Sequence, residues 1–130
     1  MINRSDVHEF LKSAGIKPTD TVLIHTSMRS LGEVEGGCDG LIDAFKSYLA
    51  DGLFIVPTHT WATVGPKNPV YDPKKSLPCI GALPTVAAFR PDGVLASPHA
   101  LGNGIRQARG RIREGRGVRH VPLHRWRRME

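Results

Sequence analysis

Six consecutive residues, His25-Thr26-Ser27-Met28-Arg29-Ser30, bring together three hydroxyls, a guanidinium and an imidazole. Hydroxyls beside free backbone N–H groups and a fixed cation form the usual cradle for a phosphate. The same residues could equally make a turn whose hydroxyls satisfy only its own backbone. A second candidate is His59, flanked by Thr58, Thr60 and Trp61. An imidazole there could act as base or ligand, or simply as a structural hydrogen-bonding group. Glu35-Gly36-Gly37 precedes an apolar-periodic segment and has the form of a glycine-softened helix start. Such a start can hold an anion or can merely need permissive dihedrals.

Several chemistries find no support. The glycines do not form G-x-G-x-x-G, and no Walker lysine follows them. No G-x-S-x-G elbow marks a nucleophilic serine. The histidines lack paired Cys/His spacing; His120 and His124 are four residues apart but lie in arginine-rich text. No metal site is expected. Cys38 and Cys79 are far apart in sequence and are expected to be reduced thiols.

The elements that would hold these residues follow from hydrophobic period. Val7, Phe10, Leu11 and Ala14 recur at helical spacing after Ser5, a good N-cap, and before Gly15. They predict a short amphipathic helix over 6–14. Thr21-Val22-Leu23-Ile24-His25 predicts a strand buried on both faces. Leu41, Ile42, Phe45 and Leu49 predict a second helix closed by Asp51-Gly52, and Leu53-Phe54-Ile55-Val56 a second strand stopped by Pro57. Strand, helix and strand at this spacing imply a parallel βαβ unit in an α/β fold. His25–Ser30 and His59 would then lie at the carboxyl ends of the strands, where α/β sheets gather ligands. Residues 57–81 read as one long proline-rich loop, and Pro84–Phe89 as the start of a third helix.

Composition divides the 130 residues at Val94. Residues 1–94 hold nine Lys and Arg against ten Asp and Glu, net −1. Residues 95–130 hold nine Arg, no Lys, and only Glu114 and Glu130, net +7. The formal charge of +6 therefore comes from the tail alone. Two regions are expected: an α/β domain over 1–94 and an Arg/Gly-rich tail over 95–130. The tail has too few aliphatic residues to offset its chain entropy and should be irregular or disordered. No apolar run is long enough to span a bilayer, and Met1-Ile2-Asn3-Arg4-Ser5 has no signal-peptide core, so a cytoplasmic protein is the default.

One family resemblance stands out. Val22-Leu23-Ile24-His25-Thr26-Ser27-Met28, Leu31-Gly32-Glu33-Val34-Glu35-Gly36-Gly37 and Leu53-Phe54-Ile55-Val56-Pro57-Thr58 resemble the N-terminal half of the aminoglycoside N(3)-acetyltransferases. Pro69–Pro73, Gly81–Pro84 and Phe89–Val94 follow in the same order. The resemblance implies acetyl transfer from acetyl-CoA to the 3-amino group of a 2-deoxystreptamine antibiotic, on that family's own α/β fold. By motif, Thr26, Ser27, Met28, Arg29 and Ser30 would line the coenzyme A pyrophosphate and pantetheine arm. Trp61 and Asp72 would border the polycationic acceptor. Another amine acceptor would fit the same half-sequence. A basic-tailed nucleic-acid-binding protein is a rival of a different class, with Trp126 between arginines as a stacking residue.

Family members continue after this point with a Ser-x-His-Pro-x-x-Ser motif, then a further segment carrying the histidine thought to act as general base. Here Ala96-Ser97-Pro98-His99-Ala100-Leu101 follows, with flanks that do not match. Plausible codons for residues 99–104, read one base later, encode Thr-His-Ser-Val-Thr-Ala, close to the family pattern. The expectation is a frame change between Val94 and His99, leaving a truncated chain that is inactive alone.

Overall fold

The computed structural model describes residues 1–96, 103–108 and 119–120. Its first helix, α1 (Arg4–Ser13), starts earlier than expected because Asn3, not Ser5, is the cap. The Asn3 side chain accepts from the N–H groups of Ser5 and Asp6 at 2.8 and 3.1 Å. The Asp6 carboxylate accepts from Asn3 N–H at 2.8 Å, closing a capping box. Strand β1 covers Thr21–Leu23, shorter than the expected five residues, and only Val22 of the three is buried.

The polar stretch after β1 holds a one-turn helix, α2 (Met28–Leu31), which the sequence pattern did not signal. Helix α3 (Gly37–Tyr48) buries Leu41, Ile42, Ala44 and Phe45, close to the expected face. Gly40 lies where α3 meets the preceding chain: a Cβ built there would fall 1.8 Å from Glu35 O. Strand β2 (Leu53–His59) runs two residues past Pro57. Helix α4 (Ala82–Phe89) follows the long loop, and strands β3 (Gly93–Ala96), β4 (Asn103–Ala108) and β5 (Arg119–His120) complete the sheet.

The strand order is β3-β4-β2-β1-β5. β1 pairs in parallel with β2, Val22 opposite Phe54, so the expected βαβ unit is present. β4 pairs antiparallel with β2 and β3, and β5 parallel with β1. The sequence pattern yielded no elements beyond Val94. Three strands lie at or past that point, while residues 97–102, 109–118 and 121–130, with Trp126 and most of the tail, lie outside the described residues.

One core cluster joins the helices to the sheet. Val7, Phe10 and Leu11 of α1 meet Leu41, Ile42 and Phe45 of α3, and these meet Val22, Phe54 and Val56 from the strands. Phe45 and Phe54 stack with centroids 4.9 Å apart, tying α3 to the strand it leads into. Leu83 and Ala87 of α4 close the cluster. Among the described residues no helix is long and apolar enough to cross a membrane.

Candidate functional site

Pro57 shapes the site. Leu53 N–H donates to Asp20 O at 3.0 Å, and Ile55 O accepts from Ile24 N–H at 3.1 Å. Residues 53 and 55 thus turn their backbone groups toward β1, and by the two-residue repeat Pro57 faces the same way. It has no N–H to extend the ladder. The parallel pairing ends there, and the two strand ends separate. β2 itself continues, because its other edge is still paired with β4. That is why the proline did not stop the strand as expected.

The gap is a cleft of about 270 Å³ at the carboxyl ends of β1 and β2. Ile24, Val56 and Pro57 line it from the strands, and Ile80, Leu83 and Pro84 from the start of α4. Its polar lining is His25, Thr26 and Ser27. A cleft with aliphatic walls and hydroxyls and an imidazole on one side suits a ligand that is partly apolar and carries a polar end.

Of the residues singled out by sequence, the structure brings Thr26 and Ser27 to this cleft, together with His25. Ser27 caps α2: its Oγ accepts from Ser30 N–H at 3.4 Å, so part of the hydroxyl content does serve its own turn. Met28, Arg29 and Ser30 follow on α2 outside the cleft lining; Met28 packs against the core, and Arg29 and Ser30 are exposed. Trp61 stands 61% exposed, its ring 4.9 Å from that of His59. Asp72 accepts from Lys74 N–H at 2.8 Å through Oδ1, and its own N–H donates to Ser76 Oγ at 2.9 Å, so it organises a local turn. The loop between β2 and α4 is fastened at its far end, where Cys79 N–H and Sγ both reach His59 O, at 2.9 and 3.3 Å. That fastening brings Ile80 and α4 over the cleft. The α4 wall was not read as part of a site, although Gly81-Ala82-Leu83-Pro84 was among the matched motifs.

Behind α4 lies an ionic cluster. Arg90 donates to Asp39 Oδ1 at 2.5 Å, Asp43 Oδ1 at 2.7 Å, and both oxygens of Asp92 at 2.9 Å. Lys46 also binds Asp92. Hydrogen bonds from Arg90, then from Lys46, hold the Asp92 carboxyl far below the usual carboxylate range. The bond to Asp92 is also the main reason that the Arg90 guanidinium holds its proton more tightly than usual. Both cysteines are free; burial, and then the neighbouring Asp39 charge, push the Cys38 thiol up, which disfavours its thiolate. Among the described residues no group of His, Cys, Asp and Glu is arranged to hold a metal ion.

The family model of aminoglycoside 3-N-acetyltransferase matches residues 23–101, which include the end of β1, all of β2, the loop and α4. The chain belongs to this family. The match runs past Val94, where the composition changes. Among solved structures, the chain is similar to aminoglycoside acetyltransferase AAC(3)-IVa in its apoenzyme form, with 24% identity and a TM-score of 0.68, over 82% of this chain and 40% of that one. The YokD protein from Bacillus subtilis matches at 18% identity and a TM-score of 0.66, over 81% of this chain and 49% of its own. AAC-IIIb, solved as a binary complex with CoASH, matches at 18% identity and a TM-score of 0.66, over 81% and 45%. At such identities the likeness is one of fold: the chain shares the mixed α/β architecture of these proteins and spans less than half their length. A search of curated proteins found no match.

Proposed function

We propose that this chain carries the coenzyme-binding part of an acetyl-CoA-dependent aminoglycoside N(3)-acetyltransferase. The observation that carries the reading is the cleft between β1, β2 and α4, walled by aliphatic side chains and edged by His25, Thr26 and Ser27, in a chain of this family. The pantetheine arm is a long, thin amide chain, which suits the slot between Val56, Pro57 and Leu83. The pyrophosphate would meet the hydroxyls of Thr26, Ser27 and Ser30 and the Arg29 cation, with Met28 supporting the turn from beneath. A neighbour of the same fold holds CoASH.

Acetyl-CoA supplies a thioester carbonyl for attack by an amine; the nitrogen gains the acetyl group and loses a proton, and the thiol leaves. The chain's own part is to fix the coenzyme, which removes much of the entropy cost of encounter. Related structures hold a gentamicin, apramycin and sisomicin. We assign the acceptor to this class of polycations, bordered by the loop from Trp61 to Asp72. Trp61 offers a cation an exposed aromatic face, and Asp72 a carboxylate. The general base is assigned to no described residue, and the 130-residue chain is expected not to turn over by itself.

Calorimetric titration with coenzyme A tests the cradle, and acetyl transfer to gentamicin, apramycin and sisomicin tests the rest. Binding that is lost in Thr26→Val/Ser27→Ala, without turnover in the parent chain, supports the proposal. Binding unchanged by those substitutions refutes the cradle, and turnover by the chain refutes its inactivity.

A further inference from the structure

Arg90 is the C-cap of α4, at the end remote from the cleft. Its guanidinium reaches across to Asp39 and Asp43, one turn apart on α3, and closes a two-pronged bond to Asp92 just before β3. Asp92 in turn binds Lys46, a further turn along α3. Arg90 is 16% exposed, whereas Asp39 and Asp43 are 62% and 45% exposed. The cation is thus enclosed while its α3 partners remain at the surface. A planar fork that satisfies three carboxylates fixes orientation as well as distance, which a lysine cannot do.

The other end of the same helix supplies Leu83 and Pro84 to the cleft. α4 has eight residues, about 12 Å at the helical rise, and no side chain caps its N-terminus at Gly81. Its hold on the rest of the molecule is therefore apolar burial of Leu83, Pro84 and Ala87 along its length, the Cys79 fastening to His59 just before it, and the clasp at its far end. Over so short a rod, a tilt at Arg90 moves Leu83 and Pro84 against Val56 and Pro57, changing the width of the slot.

We propose that Arg90 is a positioning residue: by clasping α4 to α3 through Asp39, Asp43 and Asp92, it sets the wall of the coenzyme cleft. The effect on ligand rests on the coenzyme A reading above; the effect on α4 does not. The test compares the full chain with Arg90→Gln, Arg90→Lys, the pair Asp39→Asn/Asp43→Asn, and Val7→Ala, a core truncation on α1 at a residue that does not line the cleft. Two readouts are taken: amide hydrogen exchange over residues 81–85, and calorimetric titration with coenzyme A.

Arg90→Gln and the double Asn variant are expected to speed exchange at the start of α4 and to weaken coenzyme A about tenfold, with Arg90→Lys between them and the parent. Val7→Ala is expected to lower thermal stability without either effect. The double variant alters only exposed carboxylates, so it reports even if Arg90→Gln fails to fold. Unchanged exchange over 81–85 in the double variant, or the same change in Val7→Ala, overturns the proposal. If the parent does not bind coenzyme A, the proposed function fails, while the exchange comparison still decides the role of Arg90.

Discussion

Replacing Gly40 by alanine sets two effects of opposite sign against each other. Gly40 lies inside α3, where alanine normally gains about 1 kcal/mol in helix propensity. The added methyl, however, would lie 1.8 Å from Glu35 O and 2.9 Å from Glu35 C. Carbon and carbonyl oxygen settle at about 3.3 Å, so the two segments must part by about 1.5 Å. The obstacle is backbone, which cannot rotate away as a side chain can. Glu35 is also tied down, its N–H donating to Ile2 O at 2.8 Å while Glu33 O accepts from Ile2 N–H at 2.8 Å. Overpacking of this kind costs about 1–3 kcal/mol, and loosening the two Ile2 bonds adds about 1 kcal/mol each. The steric effect wins, with a net loss of about 2–4 kcal/mol. Urea unfolding of the two proteins measures the difference, and amide exchange at Ile2 and Glu35 shows where the strain goes. A Gly40→Ala chain as stable as the parent, or more stable, would refute the close approach of α3 to Glu35.

Two further outcomes follow from the site and the ionic cluster. Ser27→Ala removes the α2 cap; at 3.4 Å that bond is long, so the stability loss should be at the low end of the capping range, about 0.5 kcal/mol, while coenzyme A affinity falls more steeply, and an affinity loss no larger than the stability loss would leave Ser27 a cap only. Asp92, with its folded pKa depressed by Arg90 and Lys46, contributes stability that is fully present above the unfolded value of about 3.9 and is lost as pH falls below it; acid unfolding of Asp92→Asn should therefore show a shallower decline below about pH 4 than the parent, and parallel curves would discard the linkage.

The parts of the fold legible in sequence are those whose signal is local and apolar. Leu41, Ile42 and Phe45 announce α3 because burial demands that spacing, and Leu53–Val56 announces β2 because both its faces are covered. Asn3 and Asp6 also formed a readable box, but Ser5 is an equally good cap type, and only the backbone decides between them. α2 was hidden because its single turn buries no residue. Pro57 was misread because its effect depends on which edge of the strand it faces, a fact set by the partner strands. Thr26 and Ser27 were legible as hydroxyls at a strand end. The α4 wall of the cleft and the reach of Arg90 to Asp39, across 51 positions, leave no local pattern at all.

The charge distribution offers a way to tell cleft binding from tail binding. Coenzyme A is a polyanion, yet residues 1–94, which supply the whole cleft lining, carry a net charge of −1, so they give it no long-range attraction. Under the proposed reading, affinity at the cleft would come from short-range donors at Thr26, Ser27 and Ser30, from Arg29, and from the aliphatic walls. Short hydrogen bonds and apolar contacts are weakly screened, whereas attraction between separated exposed charges fades beyond a Debye length of about 10 Å at 0.1 M salt. Residues 95–130, at +7, would bind any polyanion, and that binding would fall steeply with salt, as it does for basic segments on nucleic acid. Coenzyme A binding through the cleft should therefore weaken only a few-fold between about 50 and 200 mM salt. It should also survive competition by an excess of heparin or single-stranded DNA. A fall of two or more orders of magnitude over that range, matched by displacement with heparin, would assign the binding to the arginines of the tail and remove coenzyme A affinity as support for the cleft.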